Sequence, residues 1–425
     1  MKVLLIGSGG REHALAYKIA QSKSLEKLYI MPGNPGMEKL GENIEINPGN
    51  ENVLTFCKDK KIDLVVIGPE QPLVDGLSDI LRNNGFNVFG PSAKAARIEG
   101  DKVFSKNLMK KYNIPTAAYE IFDRKEYESA VKYLDKISYP TVIKAFGLAA
   151  GKGVLICKTK SEAFEGINQI FKENAFGDAG DKIVIEEFMT GEEASVFAIT
   201  DGEKFVALPP AQDHKRICDN DEGKNTGGMG AYAPAPVITE ELQQRVKAEI
   251  IDPTLKAMRA ENAEFSGCLY CGLMITDEGP KVVEFNCRFG DPEAQVVLPV
   301  IEGDFLKLLF SAAEGKINTE YYSYNGASAV CVVAASKGYP DAYKKGFEIN
   351  GLETSEDDII IFQAGTKREK NKVVTNGGRV LGITAVTNST DIKLCKKKAY
   401  EAILKISFEG IQYRTDISDK ALKYL

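Results

Sequence analysis

The densest chemical signal in the chain is the segment Val282-Val-Glu-Phe-Asn-Cys-Arg-Phe-Gly-Asp-Pro-Glu293. Glu284 and Asn286 alternate with apolar neighbours, so on a strand both oxygen donors project from one face. Two such ligands suit a Mg²⁺ ion bound chiefly through substrate phosphates. Arg288 shares that face and could offset charge on a transferring phosphoryl group. The competing reading makes these three polar residues the wet side of a strand, and the attached Arg-Phe-Gly-Asp-Pro weighs against it.

Other segments suggest anion and ribose binding. Lys144 ends an apolar run, and Gly147-Leu-Ala-Ala-Gly-Lys-Gly153 follows it. Glycine lets backbone amides approach a phosphate and lysine neutralises it, although no Gly-Lys-Ser/Thr is present to make a P-loop. Taken alone, Lys144 serves equally as a snorkelling strand-end lysine. Glu186 and Glu187 close an apolar run before Phe188, with Glu193 after Gly191; they suit ribose hydroxyls or a solvated strand end. Gly7-Ser-Gly-Gly10 evokes a dinucleotide fingerprint, but Glu12 stands where the third glycine belongs. The second strand also ends in Met31-Pro-Gly-Asn-Pro-Gly36 without an acid, which argues against a nicotinamide enzyme. What remains there is an anion site at a helix start beside Arg11, or a turn that needs glycine. Cys268-Leu-Tyr-Cys271 lacks the other half of a zinc site; residues three apart on a strand face opposite ways, so these read as structural thiols.

Composition narrows the classes further. A chain of 425 residues implies about three domains. Its 54 Lys+Arg against 60 Asp+Glu leave a net charge of −6, without the basic excess of a nucleic-acid binder. Two histidines cannot build a histidine zinc site, so a metal should sit on oxygen ligands. The apolar run Val3 to Ile6 is too short for a signal peptide, and nothing approaches a membrane span. The eight scattered cysteines are then expected to be reduced.

These residues need elements to place them. Lys2 to Ile6 reads as a buried strand and Glu12 to Gln21 as a helix with Leu15 and Ile19 on one face. Further strands at Lys27 to Met31, Asp63 to Gly68 and Asn87 to Gly90, with a helix at Asn52 to Lys60, imply a parallel sheet whose ligands gather at the strands' C-terminal ends. One helical stretch runs from Ala93 to Tyr112, closed by Pro115, and places a domain boundary near residue 103. Strand-rich text follows at Thr141 to Lys144, Ile183 to Phe188 and Gly191 to Ile199. The polar, glycine-rich Asp213 to Gly230 reads as one long functional loop. A helix at Glu240 to Ala260, strands at Leu269 to Thr276 and Lys281 to Phe285, a helix near Asp304 to Gly315 and the apolar Ala327 to Ala335 complete an α/β and α+β multidomain chain.

Five segments together resemble the motif set of the phosphoribosylamine–glycine ligase (glycinamide ribonucleotide synthetase) family of the ATP-grasp superfamily. They are Lys144 to Val154, Ile185 to Ser195, Gln212-Asp-His-Lys-Arg216, Asn225-Thr-Gly-Gly-Met-Gly-Ala-Tyr232 and Glu284 to Pro292. The likeness extends from Gly-Gly-Arg-Glu-His13, through Pro32-Gly-Asn34 and Gly68-Pro-Glu70, to Ala364-Gly-Thr-Lys367 and Thr375 to Leu381, and so covers the whole chain.

The resemblance implies an N-terminal parallel-sheet (pre-ATP-grasp) domain at 1–103 and an ATP-grasp domain at 104–325, with a mobile small ATP lobe near 118–192. A C-terminal α+β domain would occupy 326–425. It implies ligation of glycine to 5-phosphoribosylamine in de novo purine biosynthesis, with ATP going to ADP and phosphate through glycyl phosphate. By the same resemblance, Lys106 and Lys144 would contact ATP phosphates beneath Gly147, Gly151 and Gly153. Glu186, Glu187, Phe188 and Glu193 would hold adenine and ribose, and Glu284 and Asn286 would bind Mg²⁺ or Mn²⁺. Arg288 would stabilise the acyl phosphate and Asp291 would orient the amine. Gly10, Arg11, Asn34, Glu70, Lys367 and Arg379 would surround the sugar phosphate, and Asp213 and Lys215 would touch substrate. Two departures stand out: Phe146 replaces a small or acidic residue, and Leu269 to Ile275 offers no acid to a second metal. A free-standing cytoplasmic monomer, with small-molecule substrates and neither nucleic acid nor membrane as partner, is the corresponding expectation.

Overall fold

The computed structural model describes residues 1–147, 153–173, 175, 177–353 and 356–425. A five-stranded parallel sheet opens the chain, in the order Glu42–Asn43, Lys27–Pro32, Lys2–Gly7, Leu64–Ile67 and Asn87–Phe89. The Lys2–Gly7 strand is apolar on both sides because both are covered: Val3 and Leu5 enter one core cluster, Leu4 and Ile6 another. The expected single helix after Pro91 is two, Ala93–Gly100 and Lys102–Lys111. Asp101 breaks it in extended conformation, and its carboxylate caps the second helix by accepting from Phe104 N at 2.7 Å.

A small antiparallel lobe follows, in the order Tyr119–Asp123, Lys182–Glu187, Thr141–Ala145 and Val154–Cys157, backed by the helix Lys160–Phe171. It has a core of its own, with Ile143, Ile167, Ile170, Ile183 and Ile185 at its centre. A second antiparallel sheet, Phe205–Ala207, Glu192–Thr200, Gly267–Thr276 and Gly279–Asn286, faces it. Cys268 and Cys271 point to opposite sides of that sheet, into different cores, and all eight cysteines are free.

The C-terminal sheet recruits strands from the middle of the chain. Its order is Gln212–Asp213, Gly230–Ala233, Ser328–Ser336, Arg379–Thr387 and Ile359–Gln363, with Ile411–Gln412 beside Ser328–Ser336. The segment from Asp213 to Gly230, read as one loop, holds the hairpin Arg216–Cys218 and Glu222–Asn225. The second of these strands is exposed throughout, so it carries no apolar alternation to betray it. Among the described residues no helix is long and apolar enough to cross a membrane.

Candidate active site

Two lysines meet one carboxylate between the small lobe and the rest. Lys106 comes from the helix Lys102–Lys111; Lys144 and Glu186 lie diagonally on one face of paired antiparallel strands. Their ammonium nitrogens stand 3.2 Å and 3.0 Å from Glu186 Oε2, and all three side chains are buried. Lys106 also donates to Thr116 Oγ1 at 2.8 Å, and Lys144 to the carbonyl of Val283 on the facing sheet at 3.1 Å. Burial pushes the Lys106 ammonium down to about 8, against the pull of Glu186. Glu186 Oε1 is buried without a partner. Two cations on one carboxylate leave positive charge over for an anionic ligand, while the unpartnered oxygen can only accept from a donor.

Neighbouring residues complete this mouth. Glu187 faces away from Glu186, as alternation requires, and accepts from Ala118 N at 3.0 Å. The acidic pair is therefore split, with Glu186 beside the lysines and Glu187 on the other face. Phe188 is partly exposed where the small lobe ends. Lys102 holds the residues that lead into the glycine segment, its backbone N on Phe146 O at 3.2 Å and its Nζ on Gly147 O at 2.9 Å. Gly153 O accepts from Ala145 N at 2.8 Å; Gly151 lies outside the described residues. Across the mouth, Glu284 is exposed and Asn286 buried on the same face of their strand. Among the described residues no group of three His, Cys, Asp or Glu forms a closed metal cage. Two oxygen donors on an open face fit a Mg²⁺ that arrives with substrate phosphates and keeps waters.

A second centre lies where the parallel sheet's strand ends meet the C-terminal domain. Glu12 reaches back under the turn, where its Oε2 accepts from Gly9 N at 2.7 Å and its Oε1 sits 2.6 Å from Arg11 Nε. Glycine is required around it: a Cβ on Gly7 (φ +128°) or Gly68 would fall 2.3 or 2.4 Å from Glu12 Cγ. The anion at this helix start is thus the protein's own carboxylate. Arg288 donates to Glu99 Oε1 at 2.8 Å and to Glu70 Oε2 at 3.3 Å, while Arg11 lies 3.8 Å from Glu70. Arg379 pairs with Asp291 Oδ2 at 3.0 Å, and Gln295 donates to Asp291 Oδ1 at 2.7 Å. Burial opposes the Asp291 charge, but Arg379 and Arg11 outweigh it and hold its pKa below the usual range. An added Cβ on Gly10 would fall 2.5 Å from Gln295 Nε2.

Asn34 and Lys367 are placed differently from the rest of that group. The Asn34 amide donates to Ser8 O and Gln363 O, both at 2.8 Å, and accepts from Gly36 N at 2.9 Å, so its side chain is a clasp between domains. Lys367 stands half-exposed on the hairpin Thr366–Glu369 and Lys372–Thr375, 2.5 Å from Glu369, and does not join the arginines.

A third group is built around Asp213. Burial first, then Glu293 and Glu193, push its carboxyl up to about 7 against the pull of Lys215. Lys215 forms an ion pair with Glu193. Beside them Ser195 Oγ and the Tyr270 hydroxyl lie 2.9 Å apart and donate to Glu293 Oε1 at 3.2 and 3.1 Å. His13 and His214 are buried and lowered to about 4 and about 3, chiefly by burial, so both stay neutral and neither is a proton shuttle near pH 7.

Sequence reading missed Lys102, Thr116, Glu99, Gln295, Ser195, Tyr270 and Glu293. Glu293 carried a signal, since it directly follows Gly-Asp-Pro. Glu99 and Gln295 carried none: each sits in a helical stretch that looks like ordinary packing.

The chain matches the family models described as phosphoribosylglycinamide synthetase N domain over residues 1–99, ATP-grasp (A) domain over 100–294 and C domain over 329–420. It is 47% identical over 419 residues to the phosphoribosylamine–glycine ligase of Caldanaerobacter subterraneus subsp. tengcongensis, covering 98% of this chain and 99% of that one. It resembles the crystal structure of phosphoribosylamine–glycine ligase from Thermotoga maritima with a TM-score of 0.85 at 37% identity, over 98% of this chain and 100% of that one. The biotin carboxylase domain of Hydrogenobacter thermophilus 2-oxoglutarate carboxylase, solved with MgADP, ADP and bicarbonate, gives a TM-score of 0.75 at 15% identity over 100% of this chain and 98% of that one; this is a likeness of fold.

Proposed function

The chain belongs to the phosphoribosylglycinamide synthetase family, and from that premise we propose that it joins glycine to 5-phosphoribosylamine, converting ATP to ADP and phosphate, in de novo purine biosynthesis. The observation that carries the reading is the pair Lys106 and Lys144 on a half-satisfied Glu186, facing Glu284 and Asn286 across the lobe junction.

A carboxylate is a poor acyl donor, so phosphorylation comes first. One glycine carboxylate oxygen attacks the γ-phosphorus in line, an O–P bond forms, and the bond to ADP breaks, leaving glycyl phosphate. The amine of phosphoribosylamine then attacks the carbonyl carbon; a C–N bond forms, phosphate leaves, and the proton lost by the amine passes to the departing phosphate or to solvent. No nucleophilic side chain is needed, and catalysis is positioning and charge neutralisation. Lys106 and Lys144 neutralise the ATP phosphates. Glu284 and Asn286 would hold Mg²⁺, which would offset phosphate charge. Arg288, fixed by Glu70 and Glu99, faces the acyl phosphate. Asp291, held ionised, orients the incoming amine rather than deprotonating it. Asp213 and Glu293 offer the glycine ammonium a carboxylate, with Lys215 beside them. The sugar side lies at Gly10, Arg11, Glu70 and Arg379.

The test is ADP release from Mg-ATP and glycine, with and without phosphoribosylamine formed in the cuvette from ribose 5-phosphate and ammonia. Release that needs both co-substrates and yields glycinamide ribonucleotide is expected. Turnover that ignores the amine, or its absence from folded protein, overturns the reading.

A further inference from the structure

The ion pair Lys215–Glu193 is held from behind by the end of the chain. Arg414 is buried, with a side-chain exposure of 1%, and its guanidinium makes four hydrogen bonds. It donates to Asp416 through Nε at 2.7 Å and Nη2 at 2.6 Å, to Asp221 at 2.9 Å and to the carbonyl of Arg216 at 3.1 Å. Arg216 is the residue next to Lys215. On the other partner's side, Glu192 is the residue next to Glu193, and its carboxylate is held by Lys423 and the Tyr424 hydroxyl.

Further ties make the contact continuous. Asp416 accepts from Asn220 N at 2.8 Å, Thr415 N donates to Asp219 at 2.8 Å, and Lys420 pairs with Asp221 at 2.6 Å. The strap is itself anchored, since Tyr400 donates to the carbonyl of Arg414 at 2.8 Å. The second strand of the hairpin it grips is exposed, and the hairpin follows the two-residue strand Gln212–Asp213, which pairs with Gly230–Ala233. A planar guanidinium with fixed donors sets orientation better than a lysine does.

We propose that the segment Arg414–Tyr424 is a positioning strap, in which Arg414 is the positioning residue that sets Asp213 and Lys215 for the amino-acid substrate. This rests on the reading that Asp213 and Lys215 meet glycine. Displacing them by an ångström or so at the hairpin's base weakens glycine capture while leaving the phosphate-binding lysines untouched.

The experiment uses the full chain and measures kcat and the KM for each substrate in Arg414→Gln, Arg414→Lys, Asp213→Asn and Lys215→Met. Arg414→Gln should raise the glycine KM about 10-fold or more with the ATP KM within about threefold of the parent, and Arg414→Lys should recover part of the loss. A merely structural arginine would lower the thermal midpoint and the active fraction but leave the glycine KM unchanged, which overturns the strap. If Asp213→Asn and Lys215→Met leave the glycine KM unchanged, the reading of the pocket fails first, and the strap with it. Should Arg414→Gln not fold, the double variant Lys423→Ala, Tyr424→Phe decides on exposed residues: an unchanged glycine KM refutes the strap and a rise of about threefold supports it.

Discussion

The lysine centre and the arginine centre differ in how far the protein has satisfied its own charges. At the first, two ammonium groups share one carboxylate, an oxygen of Glu186 is left without a partner, and Glu284 stands exposed opposite. At the second, Arg11, Arg288 and Arg379 face four carboxylates, Glu12, Glu70, Glu99 and Asp291, in mutual pairs. Two lysines paired with one carboxylate leave positive charge over, which fits a ligand of several negative charges. A saturated cluster spends its charge on holding geometry, because each guanidinium is already fixed before substrate arrives. On the proposed reading the polyphosphate sits at the first, and the second orients the acyl phosphate and the amine.

The sharpest way to break that contrast is to remove one charge from each. Arg288→Ala should lower kcat about 10²- to 10³-fold while ATP affinity, read by nucleotide titration, changes little. Glu284→Ala should lose both turnover and Mg-dependent ATP affinity. Equal losses of rate and ATP affinity in Arg288→Ala would merge the two centres into one phosphate site.

What the sequence made legible follows the same division. Glu284, Asn286, Lys144 and Glu186 lie on strands, where a period of two turns spacing directly into shared faces. The split of Glu186 from Glu187 was implicit in that rule. The arginine centre gathers Arg11, Glu70, Glu99, Arg288 and Arg379 from the N-terminal, central and C-terminal parts of the chain, and no local period relates them. Glu12 shows the limit most clearly. As a break in a glycine fingerprint it excluded a dinucleotide, but only the fold shows it filling the space that Gly7 and Gly68 leave. The parallel sheet was readable from buried runs between helices, whereas the hairpin after Asp213 was not, because its residues are polar and exposed.

The pocket around Asp213 sharpens the comparison through pH. Its carboxyl is raised to about 7, so the free enzyme keeps the proton that a glycine ammonium must displace. The glycine KM should fall as pH rises through about 7, and Asp213→Asn should flatten that profile. Stability runs the other way. A carboxyl raised from its usual value near 3.9 contributes stability that is fully present below that value and lost as pH rises through about 7. The parent's thermal midpoint should therefore decline over that window more than the variant's does. A glycine KM that rises with pH over this window would separate Asp213 from the ammonium.

Smaller effects test which residues only hold the frame. Asn34→Ala strips both bridging donors from a buried clasp and should cost about 1–3 kcal/mol of stability with substrate KM values unchanged, measured by denaturant unfolding alongside steady-state kinetics. A selective rise in the phosphoribosylamine KM would instead make Asn34 a substrate contact.

Lys367 should matter least, and the reason is physical rather than positional. Its ammonium is half-exposed, its partner Glu369 is two residues away on the same hairpin, and an exposed pair of this kind is worth little because water screens both charges. Lys367→Ala should leave both stability and the phosphoribosylamine KM within about twofold of the parent. The arginine centre, by contrast, has every guanidinium engaged, so a sugar phosphate arriving there must exchange for a carboxylate or reach a cation outside it. A rise of about 10-fold in the phosphoribosylamine KM of Lys367→Ala would mean that the phosphate reaches the hairpin, and that the saturated centre meets only the sugar and its amine.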